Sequence, residues 1–426
     1  MLPAMNQTQD LMIESFALQA ASLRIAVVTE TFPPEVNGVA MTLGRIVEGL
    51  LQRGHSVQLI RPRQKLENAG ASRNGIEEIL SPGVPVPTYG ELRFGLPSKR
   101  RLVKLWSVRR PDIVHVVTEG PLGWSAVAAA RKLELPLTSS FHTNFQSYSQ
   151  HYGLSLLKAP IESYLRKLHN RTQATLVPTR ALMLDLQSRG YTHVKLLSRG
   201  VAAELFSPSK RSPALRRTWG AAEDDLVVLL VGRLAKEKNV GLVISAFRAI
   251  QQIKSGTRLV FVGDGPLRQA LQATCPEAVF AGVQKGEDLA THYASGDLFL
   301  FPSLTETFGN VVPEALASGL ALVCYGCAAA QELITSGVNG ILVPADDALQ
   351  FISAAVSVAG SAASLTQLRQ AAAPSVAHLH WDAIYDRFVG HLTQVIESNQ
   401  AGFHATSEHA PVDAVTRASA SAPVPF

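Results

Sequence analysis

The feature that most constrains the fold is an alternation of short apolar runs with helix-length amphipathic segments. The run LRIAVVT at 23–29 is followed by a helical pattern at 41–53, which stops at Gly54, and then by HSVQLI at 55–60. Apolar runs of this length are typical of buried parallel strands, and a glycine after the last periodic residue is typical of a helix end. The order strand–helix–strand predicts a βαβ unit, and its repetition predicts an α/β fold of the doubly wound kind.

A second series of the same kind follows a break in composition at 201–222, where prolines, serines and basic residues concentrate. It begins with LVVLLVG at 226–232. A chain of 426 residues is long enough for two or three domains. We therefore expect two Rossmann-like domains that face each other across a cleft. The expected division is an N-terminal extension at 1–22, a first domain at 23–205, a second domain at 206–378, a helix at 379–399 and a disordered tail at 400–426.

Two candidate ligand contacts lie at the ends of predicted strands of the first series. In open parallel sheets, ligands bind outside the carboxyl ends of the strands. Gly38 ends the loop ETFPPEVNGV, where a missing side chain lets a backbone N–H approach a phosphate. His142 follows the predicted strand at 137–141, where an imidazole nitrogen can hydrogen-bond a sugar hydroxyl. The structural alternatives are an ordinary turn glycine and a histidine satisfied within the fold.

Two basic residues follow the first strand of the second series. Arg233 and Lys238 lie in GRLAKEKN, directly after the run at 226–232. Arginine offers a planar fork of donors and lysine a mobile point charge, and together they suit a diphosphate. In a transfer reaction they would stabilise the charge that grows on a leaving diphosphate. The alternative is a solvated basic loop.

Two glutamates eight positions apart mark the segment PSLTETFGNVVPEALA at 302–317. Glu306 lies on the predicted loop, and Glu314 lies in the opening turns of the helix that follows Asn310. Backbone N–H groups at such a junction suit an anion, whereas carboxylates accept hydrogen bonds from hydroxyls. The combination favours a ligand with both phosphates and hydroxyls, such as a nucleotide sugar. The alternative to a ligand site is that one glutamate only interacts with the helix dipole and the other is a solvated loop charge.

Charge and composition narrow the classes of partner. The net charge of +5 and the pI near 9.1 fit an anionic ligand or an anionic membrane surface, but they are too weak to indicate nucleic acid.

The compartment is indicated by apolar runs and cysteines. No run of eighteen apolar residues occurs, and residues 1–22 lack the basic start of a signal peptide. Three cysteines, two of them in one C-x-x-C, argue against a disulfide framework and against a zinc site, and for a reducing compartment. We therefore expect the protein in the cytoplasm, either free or peripheral on the inner face of the plasma membrane.

The pattern of basic and apolar residues in PSKRRLVKLWSVRR at 97–110 predicts a basic amphipathic helix. Such a helix can lie on an anionic membrane, or it can pack its apolar stripe into the domain core and leave a solvated basic face. We favour the second interpretation, because an interfacial helix requires an exposed apolar face.

Taken together, these residues resemble the retaining glycosyltransferases of family 4, which have the GT-B fold. The resemblance runs from about residue 23 to about 398 and depends on FPPEVNGV, GRLAKEKN, VGDGP and the E-x7-E motif, in the order of the family. It implies that the last helix crosses back onto the first domain and that no metal is required. It also implies roles for seven residues: catalytic His142, Arg233, Lys238 and Glu306, and substrate-binding Gly38, Asn310 and Glu314. In the family, the diphosphate would contact Gly38, Arg233 and Lys238, the sugar would contact His142 and Glu306, and the ribose would contact Glu314.

Within the family, the segments SFHTNFQSYSQHYG, YLRKLHNRTQATLVPT and LSRGVAAELFSP are most similar to bacterial GDP-mannose-dependent α-mannosyltransferases, and next to sulfoquinovosyl and other glycolipid synthases. The implied reaction is front-face transfer of mannose from GDP-mannose to a membrane lipid or lipid-linked glycan. The segment YGCAAAQE at 325–332 replaces a more usual glycine-rich turn near the donor sugar. A UDP-sugar-dependent glycolipid synthase and a catalytically silent nucleotide-sugar-binding protein therefore stay open as alternatives.

Overall fold

The computed structural model of the chain describes residues 22–35, 37–64, 72–73, 75–86, 89–142 and 158–407. The first half holds ten strands and five helices within these ranges. They are β1 (Arg24–Val28), α1 (Gly38–Gln52), β2 (Ser56–Pro62), β3 (Ser72–Arg73), β4 (Ile76–Ser81), β5 (Gly83–Val86), β6 (Tyr89–Gly95), α2 (Lys99–Val108), β7 (Ile113–Val116), α3 (Pro121–Lys132), β8 (Leu137–Ser140), α4 (Lys158–His169), β9 (Ala174–Val177), α5 (Arg180–Ser188) and β10 (Val194–Leu196).

Eight of these strands form one sheet in the order β10-β9-β8-β7-β1-β2-β4-β3. All neighbours are parallel except β3 and β4, and β5 and β6 form a separate antiparallel hairpin. In β1, Val27 pairs with Leu59 on one side and with His115 on the other. The four residues from Ile25 to Val28 have no exposed surface, as expected for a strand that helices cover on both faces. The chain reverses direction across the sheet at β1, so the carboxyl end of β1 opens into a crevice.

The second half holds six strands and nine helices within the described residues. They are α6 (Pro213–Thr218), β11 (Val227–Val231), α7 (Val240–Ile253), β12 (Arg258–Val262), α8 (Arg268–Thr274), β13 (Val279–Gly282), α9 (Gly286–Ala294), β14 (Leu298–Phe301), α10 (Val311–Ala317), β15 (Ala321–Tyr325), α11 (Ala328–Leu333), β16 (Ile341–Val343), α12 (Ala348–Gly360), α13 (Ala362–Val376) and α14 (Trp381–Ser407). Two 3₁₀ turns, Pro208–Lys210 and Lys236–Lys238, complete the set.

The second sheet is parallel throughout, in the order β13-β12-β11-β14-β15-β16. Its first strand, β11, again lies at the point where the strand order reverses. Two hydrophobic clusters cover its faces, one around Phe299 and Leu316 and the other around Phe247 and Phe261. The predicted α/β class with two doubly wound sheets is confirmed.

Three local expectations differ from the structure. The first helix begins at Gly38 rather than at 41, because the side chain of Asn37 accepts hydrogen bonds from the first free N–H groups and caps the helix there. The sequence pattern predicts no strand between 61 and 111, yet β4 joins the first sheet and β5 pairs with β6. The break in composition at 201–222 predicts an interdomain linker, but Phe206 and Trp219 within it are buried against the second sheet.

The last helix, α14, packs on the first half of the chain. Phe388 and Leu392 lie in one hydrophobic cluster with Ile25 and Leu50. A side chain at Gly49 would lie 2.5 Å from the Tyr385 ring, so the small residue permits close approach of α1 and α14. The helix continues to Ser407, beyond the expected end at 399. The rest of the expected tail, 408–426, lies outside the described residues.

Candidate active site between the two sheets

Gly38 is the first residue of α1 and faces the second half of the chain. The side chain of Asn37 accepts hydrogen bonds from Val39 N (3.1 Å) and Ala40 N (2.9 Å), which fixes the turn that precedes Gly38. A Cβ on Gly38 would lie 3.8 Å from Arg199 Nη1 and 3.9 Å from Asn310 Nδ2. The structure therefore brings two of the predicted residues, Gly38 and Asn310, to opposite walls of one cleft.

Arg199, which follows β10, connects the predicted residues to one another. Its Nη1 donates to Asn310 Oδ1 at 3.0 Å, its Nη2 donates to His142 Nδ1 at 3.3 Å, and its guanidinium lies 5.5 Å from the centre of the Phe308 ring. Only 6% of Arg199 is exposed. Burial lowers the pKa of its guanidinium to about 10, and the negative charge of Glu306 opposes that shift. No sequence motif singles out Arg199, although it follows a strand as the other predicted site residues do.

His142 lies two residues beyond β8 and is held neutral. Burial, and then the positive charge of Arg199, lower the pKa of its imidazole well below the ordinary value. Because Arg199 can only donate, Nδ1 of His142 is the acceptor and Nε2 carries the proton. A neutral imidazole with a protonated Nε2 is a hydrogen-bond donor.

Lys238 and Glu306 form an ion pair at the carboxyl edge of the second sheet. Lys238 Nζ contacts Glu306 Oε1, and the same oxygen accepts a hydrogen bond of 2.8 Å from Ser303 Oγ. The two side chains are 17% and 13% exposed, so the pair lies mostly out of water. Gly309, with φ of +85°, turns the loop back so that its Cα approaches the Glu306 side chain. The structure thus brings together two of the four residues predicted to be catalytic.

Arg233 lies on the same edge but is more exposed, at 40% of its side chain. Its Nη1 is 4.0 Å from Glu237 Oε1, and Glu237 is buried. The neighbouring turn at Gly263 has φ of +136°, and a Cβ there would lie 2.0 Å from the carbonyl oxygen of Gly232. The first glycine of VGDGP, Gly263, therefore permits the close packing of two adjacent turns.

Glu314 lies on α10, where it contacts a tyrosine. Tyr293 Oη donates a hydrogen bond of 2.9 Å to Glu314 Oε2. Burial raises the pKa of the Glu314 carboxyl to about 7, and the hydrogen bond from Tyr293 opposes that shift. This carboxyl therefore changes charge near neutral pH.

The segment at 325–332, which departs from the usual glycine-rich turn, supports the loop that carries Glu306. Cys327 Sγ lies 3.6 Å from the Ser303 carbonyl oxygen, and Ala329 N donates to the Phe308 carbonyl oxygen at 2.8 Å. Burial, and then the negative charge of Glu306, raise the pKa of the Cys327 thiol to about 12, so it stays protonated. Ala328 has φ of +47°, a conformation that glycine adopts more readily.

The same segment also reaches the first half of the chain. Glu332 Oε1 accepts hydrogen bonds from the backbone N–H groups of Arg180 (2.7 Å) and Ala181 (3.2 Å) at the start of α5. A carboxylate there satisfies N–H groups that the helix leaves free.

Glu30, two residues beyond β1, is a second carboxyl with a shifted pKa, and no sequence motif singles it out. Burial, together with the nearby Glu119 charge, raises the pKa of its carboxyl to about 7, while a backbone N–H from Leu122 opposes the shift. The carboxyl accepts that hydrogen bond at 3.3 Å. Glu30 and Glu119 follow β1 and β7, the two strands at the reversal point of the first sheet.

Comparison with known proteins identifies the family. Residues 36–205 match the family described as Glycosyltransferase Family 4, and residues 225–360 match the one described as Glycosyl transferases group 1. A GDP-mannose-dependent alpha-mannosyltransferase of Corynebacterium glutamicum is 34% identical over 89% of this chain and 90% of that protein. The chain belongs to glycosyltransferase family 4.

Two further comparisons place this family 4 member among its relatives. It is 32% identical to a sulfoquinovosyl transferase of Arabidopsis thaliana over 74% of this chain and 62% of that protein. A solved structure of sucrose-phosphate synthase from Thermosynechococcus elongatus, 17% identical, covers 88% of this chain and all of that chain with a TM-score of 0.69, which shows the same GT-B fold. The family and the curated relatives make the protein a hexosyltransferase.

Two structural findings about this glycosyltransferase concern metals and membranes. In the described part of the chain, no group of three or more His, Cys, Asp or Glu residues could hold a metal ion. Among the described helices, none is by itself long and apolar enough to cross a membrane. Only α12 and α13 taken together, bent by 98°, meet that test by length and composition.

Proposed function

We propose that the protein transfers mannose from GDP-mannose, with retention, to a lipid or lipid-linked glycan. The observation that carries this proposal is the ion pair between Lys238 and Glu306, which lies opposite Gly38 and Arg199 at the carboxyl edges of the two sheets. A cation for phosphate and a carboxylate for hydroxyls side by side are what a sugar diphosphate requires. The name of the C. glutamicum relative supports GDP-mannose as the donor.

Each half of the cleft contributes to donor binding. Arg233 and Lys238 would hold the diphosphate, with the backbone N–H of Gly38 beside it. Glu306 would accept hydrogen bonds from sugar hydroxyls, and Glu314 would accept them from the ribose. The buried guanidinium of Arg199 adds a positive charge on the first-sheet side, and it positions Asn310 and His142 by direct hydrogen bonds. We retain 23–205 as the acceptor-side domain and 206–378 as the donor-side domain.

The reaction proceeds on one face of the sugar. The bond between the anomeric carbon and the diphosphate oxygen breaks, and the acceptor oxygen forms its bond to the same face. The acceptor proton moves to the departing phosphate oxygen, so no enzyme carboxylate needs to act as nucleophile. Lys238 and Arg233 stabilise the negative charge that grows on the leaving GDP, which replaces the usual role of a metal ion. His142, neutral and protonated on Nε2, donates a hydrogen bond to the sugar.

A second candidate is a UDP-sugar-dependent glycolipid synthase. The observation that favours it is the segment at 325–332, which contacts the Glu306 loop through Cys327 and Ala329 and departs from the usual sequence there. Similarity to the sulfoquinovosyl transferase supports it further. Either enzyme would act at the inner face of the cytoplasmic membrane, where the basic helix α2 could contact anionic lipids.

The deciding experiment measures donor use by the purified protein in the presence of EDTA. GDP-mannose, UDP-glucose and UDP-sulfoquinovose are each incubated with a total lipid extract, and labelled lipid is counted. Transfer from GDP-mannose alone would support the first proposal, and transfer from a UDP-sugar would support the second. Absence of transfer with every donor, together with nucleotide binding, would indicate a silent nucleotide-sugar-binding protein instead.

A further inference from the structure

The loop between β1 and α1 contains a glutamate, Glu35, that takes no part in the proposed donor contacts. Its side chain is half-buried. One of its carboxylate oxygens accepts a hydrogen bond of 2.6 Å from Gln64 Nε2, and the other contacts Thr31 Oγ1. Gln64 lies two residues beyond β2, the strand that pairs with β1. Glu35 therefore joins its own loop to the end of the neighbouring strand.

The contacts of Thr31 allow one arrangement of donors and acceptors. A carboxylate only accepts hydrogen bonds, so the single hydroxyl proton of Thr31 is directed to Glu35. The Thr31 oxygen must then be the acceptor for its other neighbour, and Asn37 Nδ2 donates to it at 2.7 Å. Glu35 thus determines, through Thr31, which end of the Asn37 amide faces the loop and which end faces α1.

The orientation of Asn37 decides which backbone amides at the start of α1 stay available. Asn37 Oδ1 accepts hydrogen bonds from Val39 N and Ala40 N, and Met41 N donates to the Asn37 carbonyl oxygen at 3.0 Å. Of the four N–H groups that open the helix, only that of Gly38 has no acceptor among the described residues. If the Asn37 amide turned over, its NH₂ group would face the N–H groups of the helix and the cap would be lost.

We infer that Glu35 is a positioning residue for the donor, because it orients Thr31 and, through Thr31, the Asn37 cap that leaves the N–H of Gly38 free for the diphosphate. The inference rests on the proposed function, which places the diphosphate beside Gly38, and it adds a residue that does not itself touch the donor. Glu35 contributes as an acceptor of fixed geometry and not by its charge. By charge alone, a carboxylate in this loop would repel a diphosphate.

The sign of the change in GDP affinity separates these two effects in titration calorimetry. Glu35→Ala removes the acceptor for Thr31, so the affinity for GDP should fall by about tenfold or more. Glu35→Gln removes the same charge but keeps an oxygen that accepts from Thr31, and Gln64 can turn its amide to accept from the new NH₂ group. Its affinity for GDP should equal or exceed that of the wild type. No loss in Glu35→Ala, or an equal loss in Glu35→Gln, overturns the inference.

A control for net charge is available on α1. Glu48 is exposed and lies 3.7 Å from Arg45 on the same helix. Glu48→Ala removes one carboxylate, as Glu35→Ala does, without changing the loop, so GDP affinity should not fall. A loss of affinity in Glu48→Ala as large as that in Glu35→Ala would assign the effect to net charge and contradict the positioning role.

A second pair of variants tests the connection through Thr31. Thr31→Val keeps the shape of the side chain but removes the hydroxyl shared by Glu35 and Asn37, so GDP affinity should again fall by about tenfold or more. Thr31→Ser keeps the hydroxyl and should restore the affinity. Guanosine, which lacks the diphosphate, should bind every variant as it binds the wild type. Equal losses in both Thr31 variants, or a loss of guanosine affinity as large as that for GDP, would refute the connection.

Titration of the wild-type protein with GDP and UDP recognises a failure of the proposed function. Binding of UDP in place of GDP would replace the proposed donor, and the variants are then compared with UDP and uridine. If the wild type binds neither nucleotide, the proposed function is wrong and the inference fails with it. If the wild type binds a nucleoside diphosphate and Glu35→Ala binds it equally well, the inference alone is wrong.

Discussion

Replacing the buried Arg199 with methionine should separate stability from function. Arg199 is 6% exposed, and no carboxylate within the described residues lies within ion-pair distance of its guanidinium. Its Nε is buried without a partner in the described part of the chain. Methionine has a similar length and carries no charge, so it fills the space without the cost of a buried cation.

The magnitude follows from the pKa of Arg199. A shift from 12.5 to about 10 means that the fold disfavours the charged form by about 3 kcal/mol, a cost fully present at pH 7, where arginine is charged in both the folded and unfolded states. The substitution also removes two hydrogen bonds, to Asn310 and His142, each worth about 0.5–1.5 kcal/mol, and this loss offsets part or all of the gain. We therefore expect Arg199→Met to leave the free energy of unfolding unchanged or to raise it by up to about 3 kcal/mol, equivalent to roughly 6–12 °C in the unfolding temperature of a domain of 150–250 residues.

Donor binding should weaken in Arg199→Met even though stability does not. If Arg199 supplies positive charge to the diphosphate side of the cleft, Arg199→Met should weaken GDP binding by about tenfold or more and lower kcat for transfer. Thermal unfolding and titration calorimetry with GDP measure the two effects on the same preparation. Arg199→Lys keeps the charge and is the control, with intermediate GDP affinity expected. A variant that unfolds several degrees below the wild type and binds GDP as the wild type does would refute the reasoning.

Five further substitutions, at four positions, test the second-sheet side of the cleft. Lys238→Ala and Glu306→Gln should each lower the transfer rate by about 100-fold or more, because each removes one half of a preorganised charged site. Circular dichroism should show an intact fold in both variants. A near wild-type rate in either variant would contradict the assignment of these two residues to the active site. The Glu314 carboxyl has a pKa of about 7 and is ionised at higher pH. If the ionised form accepts hydrogen bonds from the ribose, the affinity for GDP should rise by up to about tenfold between pH 6 and pH 8. Calorimetry should show that Glu314→Gln removes this rise relative to wild type. Ala328 adopts a φ of +47°, which glycine tolerates and valine does not. Ala328→Gly should therefore leave the unfolding temperature unchanged or slightly higher, and Ala328→Val should lower it. The reverse order of unfolding temperatures in a thermal melt would show that the backbone at Ala328 is not strained.

The regular part of the fold was predictable because its signals are local. Strands such as β1 and β11 are uninterrupted apolar runs, and helices such as α1 repeat apolar residues at helical spacing.

The strand β4 was not predicted, for a physical reason. Its sequence is IEEILS, and two adjacent glutamates conceal a half-buried strand. The structure places a partner beside each one, since Glu78 pairs with Arg61 at 2.7 Å and Glu77 pairs with Arg109. Such pairing depends on residues that are distant in sequence.

The candidate site was predictable only in part. The rule that ligands bind at the carboxyl ends of parallel strands placed Gly38, His142 and Lys238 at one cleft, and the structure agrees with that placement. Their roles toward a donor stay predictions. Arg199 obeys the same rule, but its importance comes from contacts with residues of both sheets. No periodicity or motif near residue 199 reports how closely the second sheet approaches.

The loop that carries Glu306 is fixed by both halves of the chain. Its last residue, Asn310, accepts a hydrogen bond from Arg199. Its middle, at Phe308, accepts one from Ala329, and the helix that contains Ala329 also carries Glu332, which caps α5 of the first half. The position of the Glu306 carboxylate therefore depends on how the two sheets meet, and not on the motif at 302–317 alone. This explains why the motif predicts the kind of ligand, phosphate with hydroxyls, yet does not by itself determine which sugar is held.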